Sequence, residues 1–196
     1  MPRSAFLKSN KISTFWLQTC YKRAVPTIRC GLLLSIAVFA SAQTPGLRNF
    51  HQVNENIYRG AQPAVWGYKT LAAMGVKTII DLRGEGIGEA VEQKLARNNG
   101  LTLLSIPLDG YKAPSDNEIA NLLKILDDKT KWPIFIHCRR GADRTGTVIA
   151  CYRIAHDKWD NQKALDEAKS FDMDHNEKLM QKFILQFRAS TPTLTQ

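Results

Sequence analysis

Between residues 134 and 157 the sequence leaves the chain little choice. Ile134-Phe-Ile136 is an apolar run of β-branched and aromatic residues, the composition of a buried strand. It passes directly into His137-Cys-Arg-Arg-Gly-Ala-Asp-Arg-Thr-Gly146. Six residues after Cys138, Arg144 opens a helix, and Thr147–Asp157 continues it as a mainly apolar stretch. A strand that feeds a helix through a short polar loop belongs in an α/β sheet. Ligands of such sheets bind beyond the carboxyl ends of the strands. The loop aims backbone N–H groups at a common point, and the helix N-terminus adds partial positive charge. That combination suits a phosphate-sized anion, and the same field favours the nucleophilic thiolate of Cys138.

The rest of the chain is consistent with that unit. Ile57-Tyr58-Arg59 reads as a short strand, and Pro63 as the first turn of a helix reaching about Met74, closed by Gly75. Val76–Leu82 reads as a second strand and Leu101–Leu108 as a third. Between them, Ile87, Ala90, Val91 and Leu95 fall at helical spacing, with Gly100 as the stop. Ser115 and Glu118 form a capping-box signature before a helix whose apolar face is Ile119, Leu122, Leu123 and Leu126. Two further helices are expected, one capped by Asp160 and one by Asp174 with Glu177. The second carries Leu179, Met180, Phe183, Ile184 and Phe187 on one face. The expected fold is α/β, a mostly parallel central sheet flanked by helices, with residues 43–196 as one domain.

Residues 1–42 read differently. They hold six basic residues and no acidic one, so without them 21 basic residues face 18 acidic ones. The formal net charge of +9 therefore belongs largely to this segment, and no nucleic-acid partner is expected. Arg23 and Arg29 precede the apolar run Gly31–Ala40, and Ala40-Ser41-Ala42 follows it. That order is a secretory signal with a cut before Gln43. The apolar run is short for a membrane-spanning helix, so no stable membrane insertion is expected after cleavage; the alternative is an uncleaved anchor. The expected location is outside the cytoplasm, periplasmic or secreted. Cys20 and Cys30 leave with the signal, and the mature chain keeps Cys138 and Cys151. These two lie too far apart for a disulfide, given about 10 Å of helix between Arg144 and Cys151. His156 and His175 have no metal-ligand spacing with the cysteines, and no metal site is expected.

Each loop position fits the anion-site reading. Gly141 permits a tight turn. Arg144 offers a planar fork for two phosphate oxygens. Thr145 can donate its hydroxyl to the Cys138 sulfur, and Gly146 permits close packing at the helix start. Here the sequence resembles the cysteine-dependent protein tyrosine phosphatase superfamily: His137-Cys138, five residues, Arg144, then Thr145-Gly146. Ile57–Pro63, Thr78–Arg83 and Ile106-Pro107-Leu108 extend the likeness to the compact dual-specificity branch, especially its bacterial exported members.

The resemblance implies two-step hydrolysis of phosphate monoesters through a phosphocysteine on Cys138, with no cofactor. Arg139, Arg140, Gly141, Ala142, Asp143 and Arg144 would bind the substrate phosphate, and His137 and Gly146 would shape the loop. The general acid implied is Asp109, 29 residues before Cys138 in Pro107-Leu-Asp-Gly110, with Asp116 as the rival. Asp116 has an alternative role as a first-turn carboxylate favoured by the helix dipole. Asp143 reads equally as a solvated loop charge or as a partner for a neighbouring cation; it departs from the commonest tyrosine-phosphatase loops, and an acidic residue there is similar to members that accept phosphoinositides. Arg139 and Arg140 add positive charge at the mouth, which suits highly phosphorylated substrates. The partners implied are a phosphorylated protein, an inositol phosphate or a phosphoinositide. The opposing class is a non-catalytic phosphate-binding module, which would not need a nucleophile.

Overall fold

The computed structural model describes residues 44–84 and 87–189, the side chain of Ile87 excepted. The secretory segment expected over 1–42 lies outside the described residues. Five strands form one sheet in the order β1-β2-β5-β3-β4. They are β1 (His51–Asn54), β2 (Ile57–Ala61), β3 (Thr78–Asp81), β4 (Thr102–Ser105) and β5 (Ile134–Cys138). β1 runs antiparallel to β2, and the pairs β2/β5, β5/β3 and β3/β4 are parallel. The strand carrying Cys138 is therefore central, and four strands end at one edge of the sheet. The mostly parallel α/β fold is as expected.

Six helices flank the sheet: α1 (Gly67–Ala73), α2 (Ile87–Asn98), α3 (Asp116–Asp127), α4 (Asp143–Ala155), α5 (Asn161–Ser170) and α6 (Lys178–Gln186). The two-residue period of the strands divides the core. Ile79 and Phe135 pack with Tyr68 and Leu71 of α1 and Ala96 of α2. Ile80, Ile134 and Ile136 face the other way, onto Ile119, Leu122 and Leu126 of α3 and Val148 and Ile149 of α4. Each such side chain contributes about 1.5–3 kcal/mol on burial. α4 is buried without interruption from Thr145 to Tyr152, because the sheet covers one side of it and α5 and α6 cover the other.

Several expectations shift. β1 was not anticipated: only Val53 of its four residues is buried, so it lacks an alternating signature. α1 starts at Gly67 and not at Pro63: residues 64–67 form a turn first, the Gly67 amide donating to the Ala64 carbonyl (2.8 Å), while the Ala64 amide donates to the Gly46 carbonyl (2.9 Å). The inward face of α2 is Glu92 and Ala96; Ala90 and Val91 are exposed. The capping box of α3 forms, with Ser115 and Glu118 each bonded to the other's backbone, as does the Asp160 cap of α5. Asp174 does not cap α6; its carboxylate accepts from the Asn176 amide two residues on. On α6, Met180 and Ile184 are buried while Leu179 is exposed. Among the described residues no helix is long and apolar enough to cross a membrane.

Candidate active site

β5 delivers Cys138 to the carboxyl edge of the sheet, beside Ala61 of β2, with only 2% of its surface exposed. The chain then bends back sharply. Gly141 has φ +72°, and a Cβ there would stand 2.3 Å from the Gly60 carbonyl carbon. Only glycine lets the loop approach β2 this closely, and that approach folds residues 139–142 over the strand ends. Arg59 of β2 completes the attachment, its Nη2 donating to the Gly141 carbonyl at 2.8 Å. Ala142 is buried, and its carbonyl accepts the Gly146 amide at 2.6 Å, an early turn of α4. At Gly146 a Cβ would press on Met173 and Ala168 at 3.1 and 3.3 Å, so glycine lets α5 and the segment after it pack close.

Arg144 lies in the first turn of α4, its Nη1 donating to the Leu82 carbonyl at 3.3 Å. The loop after β4 reaches the same guanidinium: a Cβ on Gly110 would lie 3.8 Å from Arg144 Cζ. Cys138, Arg144 and the Asp109 loop thus converge at one edge. Asp109 is on the surface, accepting from the Tyr111 amide at 2.8 Å, with Lys112 Nζ at 3.5 Å. The Tyr111 amide, joined by Lys112, holds its carboxyl below the usual range. A phosphate dianion bound at Arg144 would push it the other way. Asp116 borders a separate cavity of about 750 Å³ with Lys124, His156 and Phe187, on the side of α4 that carries Cys151. Burial pushes the Cys151 thiol far up, which suits an inert core residue. Thr145 is fully buried and its Oγ1 has no hydrogen-bond partner, so the expected bond to the Cys138 sulfur is not made.

The cations at the mouth differ in availability. Arg140 is half exposed, but its Nη2 bonds Asp143 at 2.8 Å and lies 3.8 Å from Asp174. Asp143 uses its other oxygen to accept the Asp174 amide at 2.9 Å. Its carboxylate therefore ties the loop to the segment between α5 and α6 and is not aimed at a ligand. Arg139 is exposed and borders a cavity of about 600 Å³ with Arg48, Gln62, Pro63 and Trp66, beside the loop.

His137 is fully buried, its Nδ1 3.2 Å from the Cys138 carbonyl. Nε2 lies 2.9 Å from Glu92 Oε1, though the angle leaves both atoms without a formed hydrogen bond. Arg83 bonds both carboxylates of the cluster, Asp81 (2.7–3.1 Å) and Glu92. Burial pushes the Asp81 carboxyl up, but the Arg83 bonds and the His137 ring outweigh it and hold it below the usual range. Donor atoms of Asp81, Glu92 and His137 lie within 4.8 Å of one another, a spacing open to a metal. The guanidinium already seated on both carboxylates gives them their counter-charge without one.

Sequence reasoning missed Arg59, Asp81 and Glu92. Arg59 and Asp81 carried a usable signal, a charge inside a run otherwise reading as buried strand. Glu92 carried none, because a glutamate on an amphipathic helix ordinarily faces water.

A family model described as a DSP-PTPase phosphatase fused to NAD+ kinase matches residues 36–186. Inositol diphosphatase DSP2 of Oryza sativa subsp. japonica is 32% identical over 127 residues, covering 63% of this chain and 61% of that protein. Dual specificity protein phosphatase TpbA of Pseudomonas aeruginosa is 29% identical over 130 residues, covering 66% of this chain and 56% of that protein. The catalytic core of the PP-IP phosphatase SIW14 from S. cerevisiae, solved with citrate, superposes with a TM-score of 0.66. It is 26% identical and covers 72% of this chain and 87% of that one. The chain spans about three fifths of the length of the curated relatives it matches.

Proposed function

The chain belongs to the family of DSP-PTPase phosphatases described as fused to NAD+ kinase, and from that premise we propose that it hydrolyses phosphate monoesters through a phosphocysteine on Cys138, as a phosphotyrosyl or dual-specificity protein phosphatase. The observation that carries this reading is the convergence of three elements on one strand end: Cys138 at the tip of β5, Arg144 in the first turn of α4, and the Asp109 loop against Arg144.

Cys138 Sγ attacks phosphorus as thiolate. The S–P bond forms as the bond to the leaving oxygen breaks, while Arg144 holds two of the other oxygens and spreads their charge. Asp109, protonated in the substrate complex, gives its proton to the leaving oxygen. Water then attacks phosphorus and passes its proton to the Asp109 carboxylate. Inorganic phosphate departs, and the S–P bond electrons return to Cys138. What supports Asp109 over Asp116 is location: the Asp109 loop meets Arg144, whereas Asp116 borders the cavity beside His156 and Phe187. Thr145 Oγ1, buried and free of partners, is available to the sulfur as it leaves in the second step.

A second reading, an inositol polyphosphate or diphosphate as substrate, is favoured by relatives named for that activity. The test is phosphate release by the purified full chain from a phosphotyrosyl peptide, a phosphoseryl peptide and an inositol diphosphate. Preference for the peptides supports the first reading, and preference for the inositol diphosphate transfers the function to the second. No turnover of any by a folded chain leaves a phosphate-binding module. The basic-apolar-small order of residues 1–42 further supports export, with a mature N-terminus near Gln43. Mass spectrometry finding those residues intact on a cytoplasmic protein would reject that.

A further inference from the structure

Arg59 is the one Lys or Arg that is fully buried among the described residues, at 1% exposure. It sits on β2 opposite Ile136 of β5, and its side chain runs beneath the loop that follows Cys138. Nη2 bonds the Gly141 carbonyl at 2.8 Å. The Phe171 ring covers the guanidinium, its centroid 4.6 Å from Cζ. Nε and Nη1 have no partner, and no carboxylate among the described residues bonds the group. A buried cation without a counter-ion is costly, and proteins rarely retain one without a use.

The charged and titratable groups around Arg59 are few. Glu167 of α5 is engaged by Arg153 of α4 through three contacts of 2.9–3.2 Å. His51 lies across on β1. That leaves Cys138 at the end of β5. Burial pulls the Arg59 guanidinium down to about 10, and the charges of Glu167 and Cys138 oppose that pull, so the group is a cation at neutral pH. Around Cys138, the other groups are already committed. Asp81 of β3 is held by Arg83, Arg140 and Asp143 hold each other, and His137 is enclosed by Asp81 and Glu92. Asp109 is turned to its own loop, and Arg144 is the fork assigned to the substrate.

We propose that Arg59 is a positioning residue of the Cys138 loop: it holds the Gly141 carbonyl turned down, away from the anion site, and its buried charge favours the Cys138 thiolate from beneath. The inference rests on the phosphatase reading, since only a nucleophilic cysteine uses such a charge. By reciprocity, the thiolate adds to the counter-charge that Arg59, bonded to no carboxylate, receives from Glu167.

The test is the pH dependence of Cys138 alkylation by iodoacetamide in the full chain, read by peptide mass, with inorganic phosphate as protectant. Arg59→Gln keeps a donor for Gly141 and removes the charge; Arg59→Lys keeps the charge and loses the fork. Arg59→Gln should move the half-maximal pH upward by about one unit, a tenfold loss of thiolate, while Arg59→Lys stays near wild type. A merely structural residue would alter thermal stability without moving this profile. An unchanged profile in folded Arg59→Gln overturns the inference, and so does an equal shift in Arg59→Lys. If Arg59→Gln does not fold, Arg59→Met carries the same readout. If neither neutral variant folds while Arg59→Lys does, the charge is structural and the inference is overturned. A wild-type cysteine that alkylates as an ordinary thiol, unprotected by phosphate, rejects the phosphatase reading itself.

Discussion

Gly141→Ala separates two costs that glycine substitutions usually mix. A Cβ at Gly141 would stand 2.3, 2.4 and 2.5 Å from the Gly60 carbonyl carbon, the Gly60 oxygen and the Ala61 nitrogen. All three are backbone atoms of β2, so no side-chain rotation relieves the clash. Ordinary contact begins at 3.4 Å, which requires the loop and β2 to part by about 1 Å. β2 cannot yield freely, because Gly60 and Ala61 pair with His137 and Cys138 themselves. The left-handed conformation adds about 1–2 kcal/mol for any residue with a Cβ, and forced overpacking about 1–3 kcal/mol more. Gly75 is the internal control: φ is +82° there, yet nothing lies within 4 Å of its Cβ position. Gly75→Ala should therefore lose only the conformational part, with turnover unchanged. Urea unfolding should put Gly141→Ala below Gly75→Ala by about 1–3 kcal/mol. Its turnover should also fall by about a hundredfold, the effect expected of a 1 Å displacement at a reacting centre. Equal stabilities for the two variants, with Gly141→Ala as active as wild type, would refute the claim that the approach to β2 shapes the loop.

Cys138→Ser should abolish phosphate release while the chain still binds inorganic phosphate by calorimetry, and Arg144→Lys should be severely impaired because an ammonium cannot supply a two-point fork. Asp109→Asn should cost about 10²–10⁴-fold on a phenyl or alkyl phosphate and much less on a nitrophenyl ester, whose leaving group needs no proton. Asp116→Asn should keep the wild-type leaving-group dependence, and a reversed pattern would move the acid to Asp116. The Asp81 carboxyl is held below its usual value, so it contributes stability above about pH 4. That contribution is lost as pH falls through the lower folded value. Acid titration followed by circular dichroism should show this limb in wild type and lose it in Asp81→Asn, itself destabilised by about 3–5 kcal/mol.

The parts legible in the sequence were those with a local cause. Ile134-Phe-Ile136 before a polar loop and an apolar helix announced β5 and α4, and the reciprocal Ser115–Glu118 pair announced the start of α3. What escaped depended on distant partners. Glu92 is buried only because Arg83 and His137 wait for it across the sheet, and this turned the inner face of α2 away from Ala90 and Val91. The Pro63 helix start is displaced to Gly67 by a turn over residues 64–67, a segment also tied to Gly46, eighteen residues back. In the site, Asp143 illustrates the same limit. Its position beside Arg144 left a substrate contact and a pairing with a neighbouring cation both open; its oxygens go to Arg140 and, unforeseen because it lies 31 residues away, to the Asp174 amide.

Residues 109–113 contribute no buried side chain, whereas Cys138, Ala142, Thr145 and Gly146 are all buried. Mutation can therefore rewrite the turn that would donate the proton with little penalty to folding, while nearly every change in the cradle beneath it threatens the whole domain. In a lineage built this way the leaving groups handled can diversify quickly around a reaction that stays fixed. Deep mutational scanning selected for abundance alone should record that contrast as a tolerant window at 109–113 bordered by an intolerant block at 134–152.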